Sequence, residues 1–497
     1  MKKFFFALLL LVSAVNTAIS NVLHNREIFI GTNAEEKILS VATNLAVFLE
    51  MGTGKRWVIQ KNVWNGIGIG LCERKNLNEF VAGIKENEKL SNSNLIGSIK
   101  GAFEILNKFG DEGVFLKGTS SSVCIIGNSA LAIRHGTYVY LEKLGYRWFF
   151  PHPAWRVIPQ VDNPFIFFEH AGEPSFCSRR IWYAYGTSSQ KCDYDYRKWC
   201  EFNRLGGAFD INCGHAWGGI IRRNKDKFDA HPEFFALTQD GIRETNKTYE
   251  ARKFCVSNEE LVKLCIEDSV SLVQKILTDG KQIVEDSESG TNSVNNKKTI
   301  MISMESTDGI GYCYWENCKK IGGESEQVFY LAGKVASALQ NQFPTVMVGT
   351  YAYAGHILPP SFGLPSNLYV QVATAFNKSN LTTKQLIVEW KKKVKNVGIR
   401  EYYGVMAWDW DMPSQPRGAR IDYVVKSLRE FYDAGVNAIN AESNVGWISR
   451  GLGHYIAAKL MWDISLNPNI LKKDFINNAF GNSWGPMEEL YEEWQKT

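Results

Sequence analysis

Thr299-Ile-Met-Ile-Ser-Met304, running directly into Glu305-Ser-Thr-Asp308-Gly309, decides the fold. The first half reads as a short buried strand, and the acids with the Asp-Gly turn pair end it. A carboxylate immediately after an apolar strand is unfavourable unless it faces a polar cleft or gains a partner. The same unit, a short apolar run, a polar turn and then a helix, recurs on either side. Candidate strands are 177–185, 209–213, 254–256, 299–304, 345–350, 368–372, 402–408 and 436–441. Helical faces fall between several of them: Val328, Leu331, Val335 and Leu339; Leu386, Trp390 and Val394; Val424, Leu428, Phe431 and Tyr432, stopped by Gly435. Strands alternating with helices in this number predict an α/β fold with a (β/α)8 TIM barrel over 169–464. Residues 229–255 break the pattern and read as an inserted hairpin. The competing doubly wound sheet lacks its glycine turn, since Gly66-Ile-Gly68-Ile-Gly70 has the wrong spacing.

Upstream, residues 21–168 predict a small α/β domain. Its strands are read at 28–30, 57–59 and 123–126. One helix opens at a capping box, Thr32-x-x-Glu35, and another begins near Ser129 and stops at Gly145. Residues 465–497 read as a C-terminal helical extension. Composition fits this layout: 497 residues, 45% apolar and 22% charged, which is ordinary globular usage. Lys+Arg 56 against Asp+Glu 52 gives a net charge of +4, too balanced for an electrostatic nucleic-acid binder.

Residues 1–20 carry Lys2-Lys3, an apolar run from Phe4 to Val12, and small residues at Ala18 and Ser20. This pattern predicts a secretory signal peptide cleaved after Ser20, a secreted or periplasmic location, and no stable membrane span afterwards. Ten cysteines would then meet an oxidising compartment where some can pair. Cys313-x4-Cys318 has no second close pair and no nearby histidine, so no metal site and no cofactor is expected.

In such a barrel the loops after the strands open on one face, where function concentrates. That rule brings Glu305, Asp308 and Glu442 together with the run Trp408-Asp409-Trp410-Asp411. Convergent acids beside indoles suit glycosidic cleavage, in which one group protonates the leaving oxygen and another stabilises or attacks the oxocarbenium-like carbon. Glu305 is the preferred general acid/base, with a raised pKa expected. Asp308 or Glu442 would stabilise the charge that develops. Trp182, Trp217, Trp408, Trp410 and Trp447 are candidate stacking platforms. Arg180, Asn212, His215 and Asp409 are candidates for holding substrate hydroxyls or carbonyls.

Arg134-His-Gly-Thr-Tyr-Val-Tyr-Leu-Glu-Lys-Leu-Gly-Tyr-Arg-Trp-Phe-Phe150, with Pro151 and Val157-Ile-Pro159, resembles the end of the small domain preceding the barrel in α-glucuronidases and β-hexosaminidases. Phe176-Cys-Ser-Arg-Arg-Ile-Trp182, Gly214-His-Ala-Trp217, His231-Pro-Glu-Phe-Phe-Ala-Leu237, Cys255-Val-Ser-Asn258, Asp308-Gly-Ile-Gly-Tyr-Cys313 and Gly451-Leu-Gly-His-Tyr-Ile-Ala-Ala-Lys-Leu-Met-Trp-Asp463 together resemble domain-of-unknown-function family 4838. That family includes glycoside hydrolase family 163. The resemblance implies endo-β-N-acetylglucosaminidase-like action on a glycan or glycoprotein substrate, in which Asp308 or Glu442 would orient an acetamido group. The family often shows Cys-x-Cys-x-x-Cys after the Asp-Gly turn, and Trp315 stands at its middle position here. A non-catalytic carbohydrate-binding protein and an exo-acting uronidase or hexosaminidase are the alternatives.

Overall fold

The protein is described by a computed structural model covering residues 26–82, 84, 92–184, 186–187, 189–207, 209–243, 245–279, 281–282, 293–294, 299–405 and 415–496. Residues 1–25, on which the signal peptide was read, and residues 406–414, which include Trp408, Asp409 and Trp410, lie outside the described residues. Two compact units are formed, residues up to Pro174 with Glu201–Arg204, and the remainder.

The first unit is a mixed sheet of β1 (Glu27–Phe29), β2 (Val58–Gln60), β3 (Gly68–Glu73), β4 (Val114–Gly118), β5 (Ser122–Gly127) and β6 (Phe168–Gly172), in the order β2-β1-β3-β5-β4-β6. Helix α1 (Glu36–Thr53) buries Ile38, Val41, Ala42, Leu45 and Leu49 along one stripe. The expected capping box at its start does not form. Glu35 is the N-cap without a side-chain bond, and the Thr32 hydroxyl instead donates to Glu79. The helix read from Ser129, α2 (Ala130–Lys143), does begin on a side-chain cap, with Ser129 accepting from the Ala132 amide.

The second unit carries the parallel strands β7 (Ser178–Tyr183), β8 (Ile300–Ser303), β9 (Val346–Ala352), β10 (Leu368–Ala373), β11 (Asn396–Tyr402) and β12 (Ala438–Ser443). They lie in the order β7-β12-β11-β10-β9-β8, curled so that segment 206–215 touches both ends. Gly206–Gly207 pairs with β7, and single parallel bridges join Phe209 to Thr299 and His215 to Glu305. Among the described residues a full eight-stranded barrel is thus not present as ladders. The reason at the expected second strand is that side chains take the backbone groups: Ser178 Oγ donates to the Phe209 carbonyl (2.9 Å), and Ser303 Oγ to that of Gly214. The expected third strand, around Phe254, makes only antiparallel bridges. Phe254 pairs with Phe235 and Leu237 with Arg243, as a hairpin in this region requires.

The seventh strand lies earlier in the chain than read. β11 ends at Tyr402, where the sequence reading began it, because Arg400 and Glu401 disguise a strand whose charges are both satisfied. Arg400 bonds Glu442 (2.6 Å), and Glu401 accepts from Thr374 (2.6 Å) and Tyr423 (3.0 Å). Inside the curl, Phe209, Ile211, Cys213, Met301, Tyr351, Tyr369 and Ala438 form a buried cluster. Gly398 is obligatory there, since a Cβ would fall on the Tyr369 hydroxyl. Gly398→Ala should cost about 1–3 kcal/mol by overpacking. Chemical denaturation checks this, and an unchanged midpoint would contradict the packing.

Candidate active site

Alternation along parallel strands sends every second side chain inward. Successive inward residues near the strand ends are Arg180 and Trp182, Tyr351 and Tyr353, Arg400 and Tyr402, and Glu442, all in one register. Met304 and Glu305 follow β8 directly, and the Glu305 carboxylate is fully buried. It accepts from Thr350 Oγ1 (2.7 Å), the Tyr351 amide (2.8 Å) and His356 Nε2 (2.8 Å). His356 is buried as well, and its other ring nitrogen lies 3.7 Å from Glu324. Glu324 in turn closes against backbone at Gly355, where any Cβ would strike its carboxylate.

Burial would push the Glu305 carboxyl upward. The charge and hydrogen bond of His356, with His215 and Thr350, outweigh burial and hold it below the usual carboxylate range. Burial would likewise push His356 down, yet Glu305 and Glu324 raise it to about 9. The raised acid expected at Glu305 is therefore corrected: this is a sealed carboxylate–imidazolium pair.

Asp308 lies at the surface, three residues on, with 65% of its side chain exposed. Tyr353 donates to it (3.3 Å), and His215 Nε2 stands 3.7 Å away. Burial, with Asp308 alongside, raises the Tyr353 phenol, which therefore remains a donor. His215 Nδ1 is 2.6 Å from the Ser306 carbonyl, so Nδ1 carries a hydrogen. The loop holding Asp308 is tied down by buried Lys253, whose ammonium donates to the carbonyls of Thr307 and Gly309 (2.8 Å for the latter). Burial lowers the Lys253 pKa, and Glu305, Glu324 and Asp308 oppose that.

Glu442 is bound by Arg400 (2.6 Å), and the Arg400 guanidinium lies 4.6 Å from the Trp182 ring centre and 5.5 Å from that of Tyr351. His215 packs edge-on to the same Tyr351 ring at 6.1 Å. Tyr351 thus links the Glu305–Asp308–His215 group to the Glu442–Arg400–Trp182 group.

The other expected residues fall differently. Trp217 is 2% exposed, stacked on Phe254 at 4.5 Å and bonded to the Met304 carbonyl, so it is core rather than a platform. Asn212 is buried against Met301 and below the strand ends. Trp182 has the guanidinium groups of both Arg180 and Arg400 over its ring. Trp447 packs among Tyr183, Trp199 and His454. Among the described residues, Phe376 is an exposed aromatic at the strand ends, 47% exposed and edge-on to Tyr353 and Tyr402. Phe376, Tyr353, His356, Lys253 and Arg400 were not read from the sequence. The run Tyr351-Ala-Tyr353-Ala-Gly-His356, directly after an apolar strand, was the available sign.

Cys255, Cys313 and Cys318 are brought together with their sulfurs within 4.8 Å, so a third cysteine distant in sequence joins the pair that was read as isolated and without a metal role. Among the described residues, no helix is long and apolar enough to cross a membrane.

A curled parallel sheet with acids and aromatics gathered at its strand ends defines the class of protein. The chain belongs to the family described as Domain of unknown function (DUF4838), which matches residues 150–493. No curated protein matches it. Similar solved structures include a β-N-acetylhexosaminidase from Bacteroides fragilis, 10% identical, TM-score 0.51, covering 94% of this chain and 91% of that one. A family GH115 4-O-methyl-α-glucuronidase is 9% identical, TM-score 0.57, covering 95% and 61%. A chitobiase from Flavobacterium johnsoniae is 12% identical, TM-score 0.50, covering 95% and 71%. These likenesses establish the shared fold.

Proposed function

We propose that the protein is an exported glycoside hydrolase that cleaves β-linked N-acetylglucosamine-containing glycans, endo-acting and retaining. The observation that carries this reading is the placement of Asp308 at the strand ends, 65% exposed, hydrogen-bonded by Tyr353 (3.3 Å) and 3.7 Å from His215 Nε2. The acid role read onto Glu305 passes to Asp308, because Glu305 is sealed and held ionised by His356. Asp308 protonates the leaving oxygen as the glycosidic bond breaks. Glu442, fixed by Arg400, accepts the substrate's acetamido N–H while the acetamido oxygen attacks the anomeric carbon, the substrate-assisted route. Water then opens the resulting ring, losing its proton to Asp308. Tyr353 and Phe376 supply aromatic contact for the sugar. The shared fold with a β-N-acetylhexosaminidase and a chitobiase supports the substrate class.

Arg180 and Arg400 beside Trp182 favour one second reading, an exo-acting enzyme on a uronic acid, whose carboxylate guanidinium groups bind well. A mass-spectrometric screen against N-glycoproteins, chitin oligomers and uronic-acid oligosaccharides separates the two. Internal cleavage beside N-acetylglucosamine is expected. Release of terminal uronic acid favours the second reading, and binding with no product at all leaves a carbohydrate-binding protein.

A further inference from the structure

We propose that Cys255, Cys313 and Cys318 bind a zinc ion that fastens the loop carrying Asp308. Three buried sulfurs from separate segments converge within 4.8 Å of one another. Cys255 follows the Phe254 bridge, Cys313 follows the Asp308–Gly309 turn, and Cys318 sits in the short helix Glu316–Ile321. The Cys255–Cys318 sulfur separation is 3.7 Å. Tetrahedral zinc with Zn–S of about 2.3 Å places its sulfurs about 3.8 Å apart, whereas a disulfide would need about 2.05 Å.

The surroundings are built to hold these sulfurs in place. The buried amide of Gln327 accepts from the Cys313 N–H (3.0 Å) and donates to the carbonyls of Cys313 (3.0 Å) and Cys318 (3.3 Å). The Leu237 N–H points at Cys313 Sγ (3.3 Å), a donor suited to a sulfur carrying negative charge. Ser257 Oγ lies 3.0 Å from Cys318 Sγ and 3.9 Å from Cys255 Sγ, a hydroxyl donor to the thiolates, and a water would fill the fourth position on the ion. Thiolate ligands select zinc over hard cations such as calcium or magnesium. On binding, each of the three thiols gives its proton to solvent and its sulfur lone pair to the metal. No electron is transferred and no oxidant is required.

The ion would join the segment of Lys253 to the segment of Asp308, the two that already meet through the Lys253 ammonium. Its role is to fix that loop rather than to touch substrate.

The test is elemental analysis of the full chain, purified under reducing conditions without chelator and exposed to micromolar zinc. About one zinc per chain is expected, with absorption-edge scattering that places sulfur about 2.3 Å from the metal. Cobalt exchanged into the same wild-type protein should give thiolate-to-metal charge-transfer absorption, a readout independent of any variant's folding. Cys255→Ser, Cys313→Ser and Cys318→Ser should each lower zinc occupancy at least tenfold, while Cys192→Ser keeps it. A wild-type protein that takes up neither metal overturns the proposal. So does a non-reducing peptide map joining two of the three cysteines as a disulfide, or zinc retained by all three variants.

Discussion

Asp308→Asn should reduce kcat by about 10²–10⁴-fold on a natural glycan, the range lost with a positioned general acid. The change spares the fold. Asp308 is 65% exposed, and the substituted amide keeps an oxygen to accept from the Gly309 amide, now 2.7 Å away. Stability should move by no more than about 0.5 kcal/mol, as for an ordinary surface change. The leaving group distinguishes an acid from a binding residue. An activated aryl glycoside needs little protonation, so its turnover should fall far less than that of the glycan. Glu442→Gln should slow both substrates alike, because its carboxylate acts on the acetamido side of the reaction. Equal losses on both substrates for Asp308→Asn would remove Asp308 from the acid role.

Glu305→Gln should lower stability by about 3–5 kcal/mol, since it leaves a buried imidazolium without its main counter-charge. The carboxylate is fully buried and makes hydrogen bonds of 2.7 to 2.8 Å to Thr350, Tyr351 and His356. The pH dependence follows from the two shifts. His356 is raised in the folded chain to about 9 from its ordinary value of 6.5. Its contribution is therefore complete below about pH 6.5 and fades as pH rises toward 9. Glu305 is lowered, so its contribution is present above the ordinary carboxylate range and is lost only as acid titrates the folded carboxylate. Wild-type stability should then decline between about pH 6.5 and 9, and Glu305→Gln should flatten that decline. Urea titrations at several pH values measure both quantities. A loss below about 1 kcal/mol with an unchanged slope would mean that the pair is not ionised.

Residue pattern alone located most of the parallel strands, because apolar runs such as Thr299–Met304 have few conformations that bury them. It misplaced β11, whose Arg400 and Glu401 look like loop charges until their partners at Glu442, Thr374 and Tyr423 are known. It also placed Glu305 and Asp308 after the right strand. It did not distinguish their environments, since three residues of spacing carry no information about exposure. Trp217 reads in the sequence as a platform and is core, because an indole's burial depends on what stacks upon it, here Phe254.

The sequence by itself determined the alternation of strand and helix, the strand ends at which acids appear, and membership of the family. These depend on local periodicity and on short motifs, which are properties of neighbouring residues. Tertiary structure alone decided that Glu305 pairs with His356 in the interior while Asp308 meets solvent, and that Cys255 joins Cys313 and Cys318. Protonation and ligation depend on charge, burial and sulfur contacts between segments far apart in the chain, as in the His356–Glu305 bond with its separation of 51 and the Cys255–Cys318 contact with its separation of 63.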